Sequence, residues 1–351
     1  MKSMLYYGKT DLRAGVLPIP ELRPNSVRIK VEWTGICGTD LHEYEEGPIF
    51  APTPEKPHPL TGESIPIVLG HEISGRIDAI HPDIDRFEVG EAVCVEPIIS
   101  CGECRFCNED RFNLCVSAGY HGLSGWGGGF AEYVVVDAKR VHALGDIPTD
   151  IGALVEPLAT AYHAVRRSNA QPGDAVVVFG AGPIGLFITA ILRAIGIDDV
   201  VSVEISAVRK QKAHEAGAIL VLDPTEDDVV ARVHERTGGL GADVTFECVG
   251  KSTVLQNALD ATRSGGTLTN VAIWADKAPI DLFSVVMREI DVVGTSAYCN
   301  DHQPVIKLIQ EGKIDPGKFI TGRVPLADVV ERGFKQLLEN REHNVKILVH
   351  P

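Results

Sequence analysis

The segment Gly35-Ile36-Cys37-Gly38-Thr39-Asp40-Leu41-His42 and the triplet Gly70-His71-Glu72 set a thiol, two imidazoles, a hydroxyl and carboxylates within reach of a metal site. Cys37 and His71 are candidate ligands for Zn(II). A catalytic zinc takes three protein ligands and keeps one position open, so a third donor is needed. Glu72 and Glu156, the latter in Gly152-Ala153-Leu154-Val155-Glu156-Pro157, are both candidates, and the residues alone do not rank them. Zinc lowers the pKa of bound water from about 15.7 to about 7, and a comparable effect is expected for a bound alcohol.

A second group is Cys101, Cys104, Cys107 and Cys115, spaced C-x2-C-x2-C-x7-C. Four thiolates this close in sequence can enclose one tetrahedral Zn(II), and a closed all-cysteine shell leaves no position for substrate. The reading is a structural zinc lobe at about residues 96–116, with an iron-sulfur cluster or a redox C-x2-C as its rivals. Cys94, Cys248 and Cys299 are isolated and read as buried, inert thiols. His58, His81, His121, His142 and His163 read as hydrogen-bonded structural histidines.

The third group is glycine. Val176-Val177-Val178-Phe179-Gly180-Ala181-Gly182-Pro183-Ile184-Gly185 is G-x-G-x-x-G placed after an apolar strand and opening a helix. Gly180 permits a tight turn, Gly182 lets backbone approach a pyrophosphate, and Gly185 allows close helix-strand packing; Pro183 and Ile184 begin the helix whose N-terminus faces the phosphates. The next strand, Val200-Val201-Ser202-Val203, ends at Glu204, nineteen residues past Gly185. A carboxylate there can bind ribose hydroxyls and repels a 2′-phosphate, which favours NAD over NADP, while Arg209 nearby argues the other way.

The elements that must position these groups differ in texture along the chain. Up to about residue 155 the sequence is β-rich and irregular: Val27 to Glu32 alternates with period two, Ile73 to Ile80 and Ala131 to Val136 are β-compatible, and the proline-crowded stretch Pro48 to Pro66 reads as a surface excursion. From Pro172-Gly173-Asp174 onward, strands such as Ala175 to Phe179, Val244 to Phe246 and Leu268 to Ile273 alternate with helices such as Ile184 to Ile195, Ala207 to Ala216, Val229 to Arg236 and Val254 to Thr262. That is the pattern of a parallel sheet with crossover helices. Two helices, 303–311 and 326–339, and a strand, Val345 to Val349, close the chain.

At 351 residues about two domains are expected. No run approaches about 18 consecutive apolar residues and the start carries no apolar signal segment, so a soluble cytoplasmic protein is expected. A formal charge of −15 leaves no electrostatic footprint for nucleic acid.

The segments "GICGTDLHEYEEGPIF", "HPLTGESIPIVLGHEISG", "CGECRFCNEDRFNLC", "GGFAEYVVV", "ALVEPLA", "VFGAGPIGL", "NVAIW" and "NVKILV" resemble the zinc-dependent medium-chain alcohol and polyol dehydrogenases over essentially the full length. Within them the sequence is most similar to the 2,3-butanediol dehydrogenases, because sorbitol dehydrogenases lack the long proline-rich insertion between Cys37 and His71. The resemblance implies an α/β fold with a β-rich partner: a GroES-like catalytic domain from residues 1–157 and 297–351, around a Rossmann doubly wound parallel sheet in residues 158–296. It also implies a homo-oligomer, dimer or tetramer, built largely through the Rossmann sheets. It assigns Glu156 as the third ligand beside Cys37 and His71, leaving Glu72 as an adjacent carboxylate that can shield the metal or exchange with water.

The implied reaction is NAD-dependent oxidation of 2,3-butanediol to acetoin, reversibly, with two Zn(II) per chain. Thr39 would relay the hydroxyl proton through the nicotinamide ribose to His42 and solvent; Thr39 also reads as a helix cap and His42 as a surface histidine. Lys346 resembles a basic position near the pyrophosphate, or else a solvated strand lysine. Trp274, Phe50 and Tyr120 are candidate pocket walls. The competing readings are a sorbitol, xylitol or threonine dehydrogenase and a non-catalytic NAD-binding scaffold. The scaffold predicts a damaged site, whereas Cys37, Thr39, His42, His71, Glu72 and Glu156 are all present.

Overall fold

The period-two run after Asn25 extends further than its sequence pattern, into the ten-residue strand Ser26–Gly35, which buries Val27, Ile29 and Val31 on one face. In the computed structural model, which describes residues 1–274 and 276–351, this strand is the spine of a seven-stranded sheet. On one side it pairs antiparallel with Glu72–Ile80, which leads on to Ala92–Val95 and Val141–Ala143. On the other it meets Lys346–His350 and then Ile320–Pro325, while Tyr133–Asp137 pairs along its first half. Alternating residues Ile73, Ile77, Val93, Val95, Val134 and Val136 fill the core under it.

The chain divides into two compact units, Met1–Glu156 with His302–Gln310 and Asp315–Pro351, and Pro157–Asp301 with Glu311–Ile314. The second unit holds six parallel strands in the spatial order Leu220–Leu222, Asp199–Val203, Ala175–Phe179, Ala242–Glu247, Thr262–Asn270 and Asp291–Gly294. In chain order this is 3-2-1-4-5-6, the Rossmann arrangement. The central strands Ala175–Phe179 and Asp199–Val203 are near-continuous apolar runs, as in a sheet covered by helices on both faces. Helices Ala207–Ala216 and Val229–Arg236 coincide with their periodicity and are capped by Ser206 and Asp228, whose side chains accept the Arg209 and Ala231 amides.

Three expectations shift. The strand expected to run to Ile273 ends at Asn270, because the Val271 and Ala272 amides turn to the Glu247 carbonyl. The stretch 326–339 is not one α-helix but a 3-10 turn Leu326–Asp328, a π turn Val329–Phe334 and an α turn Lys335–Glu339. The wide turn lets Val329, Gly333 and Phe334 all face inward, with Phe334 edge-on to Tyr44 and Phe130. The last strand is shifted by one residue, to Lys346–His350.

The glycine turn after Ala175–Phe179 is sterically closed in one place and open in another. Gly180 has φ +96°, and a Cβ on Gly185 would lie 1.9 Å from the Gly180 carbonyl oxygen, whereas one on Gly182 would meet nothing within 4 Å. Gly185→Ala is therefore expected to lower stability by about 1–3 kcal/mol through overpacking against backbone, and Gly182→Ala to leave it unchanged. Urea midpoints of the two variants check this; equal midpoints would contradict it.

Candidate functional site

Cys37 lies two residues past the end of the spine strand and is the N-cap of helix Gly38–Glu46. Its amide donates to Asp40 Oδ2 at 3.0 Å, so the residue three positions into the helix, not Thr39, closes the cap. Thr39 lies in the first turn with Oγ1 3.7 Å from Cys37 Sγ, and His42, three residues on, is exposed on the same helix.

Asp40 is fully buried and does more than cap. It accepts from the Gly70 amide at 3.3 Å, and Oδ1 lies 3.5 Å from His71 Nδ1. His71 is buried; burial alone would lower its pKa, but Asp40 and the neighbouring Cys37 thiol outweigh that and raise it. The imidazole is thus set between a carboxylate and a thiol. At 3.5 Å the carboxylate is beyond normal hydrogen-bond length, so it supports the imidazole through its charge rather than through a hydrogen bond. Nothing in the sequence reading assigned Asp40 a role, although the Cys37-x-x-Asp40 capping spacing carried the signal.

Glu72 follows on the adjacent strand, where Gly35 pairs with it. Its carboxylate fills the space a side chain at position 35 would need: a Cβ on Gly35 would lie 1.8 Å from Glu72 Oε2. Lys346 Nζ donates to both Glu72 oxygens, at 2.6 and 2.8 Å, and to the Ile36 carbonyl at 3.1 Å. Both residues are almost wholly buried, which removes the solvated reading of Lys346. Burial works against the ammonium, yet Glu72, Cys37 and, more weakly, Glu156 raise its pKa. Glu156 is buried in the first turn of helix Val155–Ser168. Burial, then the Glu156 carboxylate, push Tyr120 up to about 12, with His71 acting in the opposite sense. Tyr120 and Lys346 thus both respond to the Glu156 carboxylate, and His71 and Lys346 both respond to Cys37. Thiol, imidazole and carboxylate suit Zn(II), and the Asp40 support behind His71 fits a bound metal.

The four-cysteine group fits a metal more tightly. Cys104 and Cys107 Sγ are 3.5 Å apart, Cys115 and Cys101 3.5 Å, and Cys101 and Cys107 3.9 Å. Zn–S bonds of about 2.3 Å in a tetrahedron require S···S edges of about 3.8 Å. Backbone amides stabilise the thiolate form: the Cys101 and Ser117 amides donate to Cys115 Sγ and the Cys104 amide to Cys101 Sγ. Such hydrogen bonds hold the Cys101 and Cys104 thiols below their usual range, whereas burial pushes Cys107 up to about 12 and raises Cys115.

In the Rossmann unit, the Gly180 amide donates to the Val203 carbonyl at 2.8 Å, which turns the chain, and Gly182 caps helix Pro183–Ala194 with Pro183 in its first turn. Pro183, Ile184 and Gly185 lie in the turn whose amides a pyrophosphate would meet. Glu204 is buried; Oε2 accepts from the Ala181 amide at 2.8 Å and Oε1 from the Ile205 and Ser206 amides at 2.9 Å. It thereby ties the glycine turn to the end of the second strand, with lone pairs left for hydroxyl donors. The Arg209 amide bonds to Ser206 Oγ at 3.3 Å.

Comparison with known proteins agrees with this construction. Residues 23–146 match the alcohol dehydrogenase GroES-like domain, and residues 183–311 match the zinc-binding dehydrogenases. An (R,R)-butanediol dehydrogenase of Neisseria gonorrhoeae is 46% identical over 100% of this chain and 99% of its own. The chain belongs to the zinc-dependent medium-chain alcohol and polyol dehydrogenases. Among the other members, the crystal structure of 2R,3R-butanediol dehydrogenase from Bacillus subtilis superposes with a TM-score of 0.94 at 42% identity, covering 100% of this chain and 99% of that one. Human sorbitol dehydrogenase is 33% identical over 94% of this chain and 90% of its own. The chain is an oxidoreductase of this family, and no described helix is long and apolar enough to cross a membrane.

Removing one member of a buried ion pair strands the other. Lys346→Met is expected to cost about 3–5 kcal/mol, and the double variant Lys346→Met/Glu72→Leu to recover most of it, because neither charge then remains. Chemical denaturation of wild type, single and double variants tests this, and a single variant as stable as wild type would contradict it.

Proposed function

We propose that the chain catalyses the reversible NAD-dependent oxidation of 2,3-butanediol to acetoin. The observation that carries this reading is the buried Asp40–His71–Cys37 arrangement, in a chain alike over its whole length to butanediol dehydrogenases. Cys37, His71 and Glu156 hold one Zn(II), and Cys101, Cys104, Cys107 and Cys115 hold a second. The first supplies a Lewis acid that lets a bound alcohol ionise at neutral pH. Gly180, Gly182, Pro183, Ile184 and Gly185 would hold NAD, which would supply the hydride acceptor, and the Glu204 carboxylate would favour it over NADP despite Arg209.

Thr39 would accept the hydroxyl proton while passing its own on through the nicotinamide ribose to His42, which is exposed on the same helix and would release a proton to solvent. Glu72, clasped by Lys346, stays close by as a shielding carboxylate rather than a resident ligand. The GroES-like part spans residues 1–157 and 297–351, and the Rossmann part residues 158–296. The protein works in the cytoplasm on a small diol or hydroxyketone.

A homo-oligomer belongs to the same proposal. Strand Asp291–Gly294 pairs on one side only among the described strands, and beside it helix Leu282–Met287 exposes Leu282, Phe283, Val286 and Met287. An unpaired edge next to an apolar patch is a surface that a second copy can cover. Phe283→Glu combined with Val292→Pro is expected to shift the sedimentation mass to that of a monomer. An unchanged mass would place the contact elsewhere.

The decisive assay is NADH formation by metal-replete protein with (R,R)-, (S,S)- and meso-2,3-butanediol, sorbitol, xylitol and L-threonine. At least one butanediol isomer should give the highest kcat/KM; a higher value for sorbitol or threonine overturns the substrate assignment. Cys37→Ala should lose about one zinc per chain and all turnover while the four-cysteine metal stays. Retained turnover would remove Cys37 from the ligand set.

A further inference from the structure

Besides the four cysteines, one other group among the described residues brings three metal-ligating side chains together: Glu96, His142 and His302, whose ligand atoms all lie within 4.8 Å of one another. Glu96 follows strand Ala92–Val95, His142 lies on the neighbouring strand Val141–Ala143, and His302 opens helix His302–Gln310. All three belong to the GroES-like unit. Glu96 and His302 are buried, His302 completely, and His142 is nearly so.

Both spacings are longer than hydrogen bonds; one falls within the range of a coordination shell and the other a few tenths of an ångström beyond it. His142 Nε2 is 3.5 Å from Glu96 Oε2, and His302 Nδ1 is 3.9 Å from Glu96 Oε1. Hydrogen bonds between nitrogen and oxygen fall at about 2.7–3.2 Å. Metal–ligand bonds of about 2.0–2.2 Å in a tetrahedron set donor atoms about 3.3–3.6 Å apart. Buried Glu96 Oε1 and His142 Nε2 accordingly make no hydrogen bond of normal geometry among the described residues. Buried polar atoms left in this way call for an occupant.

The surrounding side chains prepare the group. Arg140 Nη1 bonds to Glu96 Oε2 at 3.0 Å, while its other arm reaches Ser100 Oγ at 3.3 Å and its guanidinium lies 3.5 Å over the Phe112 ring. The arginine therefore occupies one carboxylate oxygen and leaves Oε1 toward His302. Gln303 Nε2 lies 3.1 Å from His142 Nδ1. With the amide turned over, its oxygen accepts from Nδ1–H and directs the Nε2 lone pair inward, the usual support of a ligating histidine. The two imidazole rings are stacked, 5.0 Å apart and 15° from parallel.

We infer that Glu96, His142 and His302 form a third metal site, which takes a divalent ion of the zinc class. Two imidazoles and a carboxylate are borderline donors of the kind such ions select. Three protein donors leave the fourth position to water. The site fastens helix His302–Gln310 to two strands that precede it by more than 150 residues, and the Gln310 amide on the Leu144 carbonyl at 3.3 Å marks the far end of the same contact.

The test compares zinc content by elemental mass spectrometry in wild type, His302→Gln and His142→Gln, each equilibrated with a small excess of Zn(II) and desalted. Both variants should hold one zinc fewer than wild type, with turnover unchanged. The wild-type melting temperature should rise with added zinc beyond that of the variants. Equal zinc content in wild type and the two variants, whatever the absolute number, overturns the site and leaves a water or a proton as the occupant. Because the reading rests on this difference, failure of the Cys37 assignment is scored separately by Cys37→Ala. If His302→Gln does not fold, His142→Gln alone carries the same comparison from a position nearer the surface.

Discussion

The ion pair between Glu72 and Lys346 is the contact on which the GroES-like unit is built. It links three strands: Glu72 opens one, Lys346 opens another, and the spine strand passes between them at Gly35. Two buried charges cost several kcal/mol of desolvation each, and they persist only with close geometry and satisfied lone pairs. Here Lys346 meets both carboxylate oxygens and a carbonyl, and Gly35 supplies the room. The register that satisfies the pair leaves Cys37 two residues beyond Gly35 and His71 one residue before Glu72. In this way a constraint of folding brings together two groups separated by 34 residues in sequence.

A carboxylate that collects backbone amides recurs wherever the chain must turn beside a strand end. Asp40 accepts from Cys37 and Gly70, Glu204 from Ala181, Ile205 and Ser206, and Glu43 from Ile49, Phe50 and Ala51 inside the proline-rich excursion. In each case the acid satisfies amides that no ladder or helix can reach, which buried backbone requires. These three acids are internal scaffolding, not surface charge.

How much was legible in the sequence follows from the range of each interaction. Helices Ala207–Ala216 and Val229–Arg236, the G-x-G-x-x-G turn and the four-cysteine lobe rest on patterns completed within about one or two dozen residues, and local reading found them. The strand end at Asn270 and the π turn Val329–Phe334 depend on a distant carbonyl and on packing against Ile36, so periodicity overshot both. Lys346 reads as a solvated strand lysine until Glu72 is placed opposite it, a partner 274 residues away. His142 looks unremarkable for the same reason: only the fold sets it against Glu96 and His302.

The surroundings of Cys37 and His71 also bear on the chemistry proposed for them. Asp40, fully buried behind His71, raises the imidazole's basicity and makes it a stronger donor. Lys346 stays protonated across the neutral range because Glu72 and Cys37 raise its pKa against burial; its contribution is lost only as pH rises through that raised value. A fixed positive charge near the thiolate weakens it as a donor while the carboxylate strengthens the imidazole. The two effects oppose each other at the metal, and the positive member is neutralised on its far side by Glu72. A zinc bound there would see a ligand set whose donor strengths are tuned from opposite directions by residues that never touch it. Replacing Lys346 would therefore change more than stability: it would free the Glu72 carboxylate and remove the positive charge beside Cys37.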